Sequence, residues 1–333
     1  MRRFIRVFAL SSVLALLLSA PAEALEAEEL VPVGRTVGLE LYTEGVFVVR
    51  LDETEGSCPA RDAGLRPGDR IVSVDGTELE DAKDLQARIT AGGGGRLTLA
   101  VERGGRSMSF SVQPVCVEGG WRIGAMVQDH ITGLGTVTFY DPETGIFGAL
   151  GHGVGRSGAA GNAPLSGGTA LPTVITGVQK GTAGSPGQLQ GQGGGSEPLG
   201  QVETNTGCGV FGRCSSGVFS GEAIPVAKPE EISTGPAEIW SNVEGITVVH
   251  YQAEIEAIRF GAEGGRNLRL RVTDPRLLER TGGIVQGMSG SPIIQNGKLV
   301  GAVTHVLIRD PARGYGISID NMLRSAGEAD AAA

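Results

Sequence analysis

Aromatic residues and basic patches are both scarce in this sequence. Phe, Trp and Tyr make up 5% of the 333 residues, whereas glycine occurs 55 times. This composition favours many strands, tight turns and loops over long helices. The 28 Lys and Arg residues are outnumbered by 37 Asp and Glu residues, and no basic patch stands out. A nucleic-acid partner is therefore not expected.

Cysteine is scarce as well, with four residues whose spacing fits no strong zinc signature. We therefore predict no metal and no cofactor. In an exported chain Cys208 and Cys214 can close a small loop, and Cys58 can join Cys116. Free buried thiols are the alternative.

The apolar run at the N-terminus, from Val7 to Leu18, is shorter than a transmembrane helix requires. Three arginines precede it, and Ala22-Glu23-Ala24 after it has the small-x-small pattern of a cleavage site. We predict a signal peptide or N-terminal membrane anchor over residues 1–24 and a linker over residues 25–34. The rest of the protein is expected outside the cytoplasm and close to a membrane.

Residues 35–114 are predicted to form a small α+β domain. The stretch Ala63-Gly64-Leu65-Arg66-Pro67-Gly68-Asp69 combines a short helix with a turn. Ile71-Val72-Ser73-Val74 then reads as a strand that Asp75-Gly76 ends, and an amphipathic helix follows from Glu80 to Thr90. This combination resembles the PDZ domains of bacterial proteases.

The PDZ resemblance implies a peptide-binding site at the start of the domain. Such domains add an extended peptide as a strand to an open sheet edge. The N–H groups of Gly38, Leu39 and Glu40 would hold the terminal carboxylate of the peptide, and Leu41 would line its side-chain pocket. The alternative is a groove that binds nothing and serves only for packing.

From residue 120 to 327 the sequence predicts many short strands separated by glycine and proline, which is typical of β-barrels or sandwiches. Within this region, Ser289 lies between glycines in the stretch Gly287–Pro292. Glycines allow a sharp turn and leave backbone N–H groups bare, as an oxyanion site needs. Ser289 is the candidate nucleophile, and Ser291 is its rival.

A serine nucleophile needs a base, and the sequence offers four histidines. His152 follows an apolar strand and is flanked by two glycines, so its imidazole can approach another loop closely. His250 lies within an alternating strand, and His130 is next to Asp129 in a turn. His305 ends the strand after the serine hairpin and lines the cleft or acts as an alternative base. We therefore predict His152 as the base.

These two motifs resemble the base and nucleophile of chymotrypsin-like serine proteases, in which they come from two different β-barrels. A closer resemblance is to the stage IV sporulation protein B family of peptidases. It rests on Ile284–Pro292, Gly301–Val306, Asp310-Pro311 and Gly314-Tyr315-Gly316. The fold is therefore expected to be mainly β: a PDZ domain, then a chymotrypsin-like double barrel over residues 120–327 and a C-terminal tail over 328–333.

The family resemblance also implies roles and a setting. Asp274 would be the acid of the triad, and the N–H groups of Gly287 and Ser289 would form the oxyanion hole. Without the resemblance, Asp274 before Pro275 reads equally as the cap of a short helix. Asp310-Pro311 is a second candidate for the acid, also readable as a turn.

The predicted function is an exported serine endopeptidase with a PDZ module that binds peptide or regulates activity. The resemblance implies action between forespore and mother-cell membranes, on a membrane-associated regulatory protein, so that a membrane-embedded protease activates a late sigma factor. One alternative is an exported, catalytically inactive PDZ adaptor. An α/β-hydrolase esterase is disfavoured, because that fold needs alternating strands and helices.

Overall fold

The computed structural model describes residues 27–53, 56–155, 162–195, 197–261 and 266–330. The segment predicted as a signal peptide or anchor, residues 1–24, lies outside these ranges, as do the last three residues of the predicted tail. Within the described ranges, no helix is both long enough and apolar enough to cross a bilayer.

Strands dominate the described chain. The strands are β1 (Glu29–Pro32), β2 (Thr36–Leu51), β3 (Arg70–Val74), β4 (Thr77–Glu78), β5 (Leu97–Arg103), β6 (Arg106–Val112), β7 (Val115–Val117), β8 (Gly120–Arg122), β9 (Ala125–Tyr140), β10 (Ile146–Ala149), β11 (Leu165–Gln179), β12 (Gln188–Gly193), β13 (Gly200–Thr206), β14 (Gly209–Arg213), β15 (Ile224–Pro225), β16 (Gly235–Ser241), β17 (Val249–Ile258), β18 (Leu268–Val272), β19 (Pro292–Gln295), β20 (Lys298–Leu307) and β21 (Asp310–Ser318). The helices are α1 (Pro59–Asp62), α2 (Ala82–Ala91), α3 (Pro275–Thr281) and α4 (Ile319–Asp330), with a 3₁₀ turn at Pro229–Glu231.

The first barrel is a ring of antiparallel pairings in the order β9, β10, β14, β13, β11 and β2. Pairing of β2 with β9 closes the ring. Its interior is apolar and includes Val37, Val137, Phe147 and Val210, each fully buried. Closure leaves these strands without open edges in the ring, so the barrel is a rigid support for the loops at its ends.

The second barrel is closed by β16, β17, β18, β21, β20 and β19. Strand β18 shows why the sequence forms it: Leu268, Leu270 and Val272 are buried, whereas the arginines between them face outward. Helix α4 covers this part of the molecule and buries Met322 and Leu323. The prediction of a mainly β protein with a PDZ domain and a chymotrypsin-like double barrel is confirmed.

The PDZ domain is an extension of two barrel strands. Beyond the barrel, β2 pairs with β3 through Val46 and Phe47, and β3, β5 and β6 complete the sheet. Helix α2 packs on this sheet with Leu85 and Ile89, one turn apart. The other long strand, β9, enters the domain with its first residues, Ala125–Gln128, which pair with β2.

This arrangement corrects the domain limits 35–114. The first half of β2 belongs to the first barrel, where Gly38, Leu39, Glu40 and Leu41 pair with β9 on one edge and with β11 on the other. Their backbone groups are therefore used in two ladders, and no edge is left for a peptide. The prediction that these four residues bind the PDZ ligand is wrong.

The linker assigned to residues 25–34 is also corrected. Strand β1 lies within it and pairs with β9 and with β15. Leu30 and Val31 are buried in the barrel packing, so this segment is part of the domain that contains the two barrels and is not a spacer.

All four cysteines are free thiols, so neither of the two pairings considered is formed. Cys58 is buried, and its Sγ lies 3.3 Å from the carbonyl oxygen of Gly124. Cys116 is exposed. Cys58, Cys208 and Cys214 contribute packing to the apolar clusters, and none of the four thiols forms a cross-link.

Candidate active site

The serine loop between α3 and β19 needs its glycines. Gly287 has φ +98° and Gly290 has φ +95°, in the left-handed region that favours glycine. A Cβ on Gly290 would lie 1.9 Å from the carbonyl oxygen of Thr136 and 2.5 Å from the nitrogen of Leu150. The loop therefore packs directly against the backbone of the first barrel, and Ser289 is held where the two barrels meet.

His152 reaches the same place from the first barrel. It follows β10 after Leu150 and Gly151, which both have positive φ, so the chain turns sharply and directs the imidazole toward the second barrel. His152 and Ser289 line one cleft of about 250 Å³. The other walls of this cleft are mostly apolar and come from β2, β9 and the chain on either side of the two residues: Leu39, Leu41, Ile131, Leu134, Leu150 and Val154. The structure thus brings together the predicted base and nucleophile.

The tautomer of His152 follows from its hydrogen bond. Its Nδ1 lies 2.9 Å from the carbonyl oxygen of Gly153, and a carbonyl can only accept, so Nδ1 carries the proton. The other ring nitrogen, Nε2, is then free to accept a proton. Burial lowers the pKa of His152, and the bond to Gly153 opposes this only in part. The imidazole is therefore neutral at neutral pH, as a general base must be.

Ser289 does not point at the histidine in this state. Its Oγ donates to the carbonyl oxygen of Thr304 at 2.8 Å, and no hydrogen bond joins it to His152. A rotation of the serine side chain is needed before proton transfer. Hydrogen bonds between catalytic groups are often long or absent until a ligand is bound.

His305 is a neighbour of His152 on the side of the second barrel. Its ring centroid lies 5.2 Å from that of His152, with the rings tilted by 41°. Burial is the largest cause that lowers the pKa of His305, and together with the nearby His152 and Arg266 it brings that pKa to about 4. His305 is thus neutral beside His152; it contacts the ring of His152 but is not among the residues that line the cleft of His152 and Ser289.

Asp274 does not take part in this cluster. Its carboxylate caps α3 by accepting from the Arg276 nitrogen at 2.9 Å, and it accepts from the Gln252 nitrogen at 3.1 Å. The Arg276 guanidinium donates to both carboxylate oxygens, at 3.0 and 2.7 Å. No hydrogen bond or ion pair joins Asp274 to His152. The prediction of Asp274 as the acid is therefore not supported by the geometry, and the helix-cap alternative describes what the structure shows.

The ionised carboxylate of Asp274 stabilises the folded state. The hydrogen bonds from Arg276 lower the pKa of Asp274 to about 2, and the backbone donors act in the same direction against burial. Because the folded-state pKa is depressed, this contribution to stability is complete above the usual aspartate value and is lost as the pH falls toward 2. Asp310 is likewise engaged elsewhere, in an ion pair with Arg313.

The N–H groups predicted for the oxyanion hole are available. Neither the N–H of Gly287 nor that of Ser289 makes a hydrogen bond within the described chain, whereas the N–H groups of Met288, Gly290 and Ser291 all do. Gly287 and Ser289 also both line the cleft. The loop can therefore offer two donors to a developing oxyanion.

The PDZ domain has its cleft away from the residues predicted to bind a peptide. A second cleft of about 250 Å³ runs between α2 and the start of β9, and Leu85, Gln86 and Ile89 face the segment Ile123–Val127 across it. Residues Ala125–Gln128 pair with β2 on one edge only, and their other edge carries no strand in the described chain. The sequence signal for this cleft is the apolar-Gly-apolar motif Ile123-Gly124-Ala125, which leads into β9. The motif was missed because it follows the last strand predicted for the PDZ domain.

Two family models match this chain. The family model described as SpoIVB peptidase S55 matches residues 119–323, more than half of the chain, and a PDZ domain model matches residues 56–103. Among solved structures, the Rv3671c protease in its inactive form is 15% identical and covers 59% of this chain and 82% of that chain, with a TM-score of 0.33. The PDZ domain of an SdrC-like protein of Listeria monocytogenes is 21% identical and covers 25% of this chain and 87% of that chain, with a TM-score of 0.23.

Curated relatives match over shorter stretches. A Lactococcus lactis protein named "Putative zinc metalloprotease" is 37% identical over 112 residues, which cover 32% of this chain and 26% of that protein. A Brucella suis protein of the same name is 32% identical over 134 residues, 37% of this chain and 35% of that protein. The chain thus spans about a quarter to a third of these relatives. Among the described residues, no group of three or more His, Cys, Asp or Glu side chains is placed to hold a metal ion.

Proposed function

Because the chain belongs to the SpoIVB peptidase S55 family and carries a PDZ domain, we propose that it is a serine endopeptidase that works through an acyl-enzyme. The observation that carries this proposal is the shared cleft of His152 and Ser289, with two free N–H groups beside the serine. Base, nucleophile and oxyanion donors are the three elements that acyl transfer requires.

In the proposed mechanism, Ser289 Oγ leaves the carbonyl of Thr304 and gives its proton to Nε2 of His152 as it attacks the scissile carbonyl carbon. The oxyanion that forms is received by the N–H groups of Gly287 and Ser289. His152 then gives the proton to the leaving amine, and water releases the acyl group by the same steps in reverse order. The carbonyl of Gly153 keeps the proton on Nδ1, which is the orienting part of the role that an acid has in a triad.

The proposed partners are an extended protein substrate in the cleft and a peptide in the PDZ groove. The groove between α2 and β9 offers an unpaired strand edge and apolar walls, which is what strand addition needs. The Ile123-Gly124-Ala125 step would supply backbone N–H groups for a terminal carboxylate, and the exposed Arg122 lies at the same cleft.

The family also suggests where the reaction takes place. We propose that the protein is exported, as the pattern in residues 1–24 predicts, and acts between the forespore and mother-cell membranes on a membrane-associated regulator. Cleavage would trigger a membrane-embedded protease and a late sigma factor. Replacing Ser289 with Ala at the native locus should stop that sigma factor from becoming active; a strain in which it is activated normally would contradict this setting.

The proposed chemistry is tested by labelling with a biotinylated fluorophosphonate, which reacts with activated serines. We expect one adduct per molecule, and peptide mapping should place it on Ser289. Ser291 is fully buried and should carry none. An adduct on Ser291 would show that Ser291, and not Ser289, is the nucleophile. No adduct on a sample with a cooperative thermal transition would favour the inactive PDZ adaptor.

A further inference from the structure

Thr136 of β9 contacts both residues whose N–H groups face the cleft. Its hydroxyl donates to the carbonyl oxygen of Gly287 at 2.8 Å, and its backbone N–H donates to the carbonyl oxygen of Ser289 at 2.8 Å. The side chain is fully buried, so water does not replace it easily. The hydroxyl of Thr36 lies 3.3 Å from that of Thr136, and because the Thr136 proton is used on Gly287, Thr36 is the donor in that contact.

The peptide plane before Gly287 is also held from outside the loop. Strand β12 runs beside this segment as a parallel bridge, and its Leu189 N–H donates to the carbonyl oxygen of Gln286 at 2.9 Å. In a trans peptide the C=O and the following N–H point in opposite directions. The Gly287 N–H is therefore turned away from Leu189, to the side on which the cleft lies.

Two peptide planes meet at the Cα of Gly287, and this glycine has little intrinsic preference to keep them in place. Leu189 fixes the plane before it and the Thr136 hydroxyl fixes the plane after it. Both come from the first barrel or from the β11–β12 hairpin that extends from it. The donor geometry of the second barrel is thus set by the other half of the molecule.

We propose that Thr136 is a positioning residue for the oxyanion hole, whose hydroxyl holds Gly287 in the conformation that presents its N–H to the reacting carbonyl. This inference rests on the proposed function and adds a residue that touches neither substrate nor reacting atoms. It also explains why a fully buried threonine lies opposite the serine loop, where an apolar side chain would leave the Gly287 carbonyl without its donor.

The test is the rate of inactivation by the biotinylated fluorophosphonate, resolved into the maximal rate constant kinact and the half-saturating concentration KI. Thr136→Val keeps the shape and removes the hydroxyl. We expect kinact to fall on the order of tenfold to a hundredfold, below the about 10²–10³ lost with a whole oxyanion donor. KI should change by no more than about twofold, because probe binding does not use the hole, and Thr136→Ser should restore kinact.

Thr138→Val is the matched control. Thr138 is on the same strand, is fully buried and donates to the same loop at 2.8 Å, but to the carbonyl of Gly290. If these hydroxyls have only a structural role, kinact should fall equally in Thr136→Val and Thr138→Val, and that result would overturn the proposal. So would an unchanged kinact in Thr136→Val, a loss confined to KI, or no rescue by serine.

Two further measurements keep the outcomes separate. If Thr136→Val does not fold, Thr136→Cys is used, because a thiol is a weak donor of similar size; kinact equal to wild type would then reject the role. Ser289→Ala reports on the proposed function alone. Labelling that persists in Ser289→Ala would contradict the proposed serine peptidase. Labelling that depends on Ser289 but has the same kinact in Thr136→Val as in wild type would contradict only the positioning role.

Discussion

Ser289→Ala and His152→Ala are each expected to abolish hydrolysis of fluorescein-labelled casein, with losses on the order of 10⁴–10⁶ in turnover. Serine without a base is a weak nucleophile, and the base without serine has nothing to activate. Because the two act as a unit, the double variant should be little worse than either single one. The measurement is the initial rate of casein cleavage, with the thermal unfolding midpoint showing that each variant is folded.

Asp274→Asn is the control that separates this pair from a triad. An amide oxygen can still cap α3, so we expect a modest loss of stability, within the about 0.5–2 kcal/mol typical of a lost cap, and turnover within about threefold of wild type. A triad acid would behave differently, since an amide in its place costs about 10⁴ in turnover through the wrong tautomer. A variant that melts like wild type and loses most activity would restore Asp274 as the acid.

The fall of wild-type activity at acidic pH tests the assignment of His152 as the base. The base must be neutral to accept a proton, and burial places the pKa of His152 below its ordinary value of 6.5. Activity should therefore fall only as the pH drops below 6.5 and should be level through neutral pH. In the His152→Ala variant the residual rate should lack this fall.

Peptide binding in the PDZ groove should depend strongly on a free C-terminus. A hydrogen bond to a charged carboxylate contributes about 1.5–3 kcal/mol, against about 0.5–1.5 kcal/mol for a neutral acceptor, and the N–H groups after Ile123 would make such bonds to a free C-terminus. We therefore expect C-terminal amidation of peptides selected from a library to weaken binding on the order of tenfold to a hundredfold. Fluorescence anisotropy with labelled hexapeptides measures the two dissociation constants.

Two arginine variants locate that binding. Arg122→Glu introduces a negative charge at the groove and should weaken binding of the free acid by repulsion. Arg106→Glu makes the same charge change on exposed β6, which does not line the groove, and should leave binding unchanged. Equal affinity for acid and amide, or equal effects of both substitutions, would show that the ligand binds in another way.

The two polar residues that share the cleft, His152 and Ser289, could be predicted from the sequence because their signal is local. Gly151 before His152, and Gly287 and Gly290 around Ser289, have a positive φ, which favours glycine, and such turns place side chains at loop ends. The role of Asp274 was equally local: Asp before Pro at a helix start describes a cap, and the structure agrees with this interpretation against the one carried over from the family.

The PDZ groove and the first barrel could not be separated from sequence, since two continuous strands serve both. In β2, residues 36–42 belong to the barrel and residues 46–51 to the PDZ domain, and only a register shift after Tyr42 marks the change. Alternating apolar residues look the same on both sides of that shift. Strand β1 was missed for a related reason, because Leu30 and Val31 are buried only through a partner more than a hundred residues away.

The contacts of Thr136 also join residues that are distant in sequence. Its partners in the serine loop are about 150 residues away, and no local pattern distinguishes it from the other threonines of an alternating strand. Tertiary structure is needed to show that one hydroxyl meets a loop carbonyl and not solvent.

The structure of the protein with a peptide boronate tests the central claim most directly, because boron forms a bond to an activated serine and carries an oxygen into the oxyanion hole. We expect a bond from boron to Ser289 Oγ, which no longer donates to Thr304. The boronate oxygen should lie about 2.7–3.1 Å from the nitrogens of Gly287 and Ser289, with Nε2 of His152 beside it. A boronate bound to Ser291, or one bound to Ser289 with its oxygen away from both N–H groups, would contradict the account.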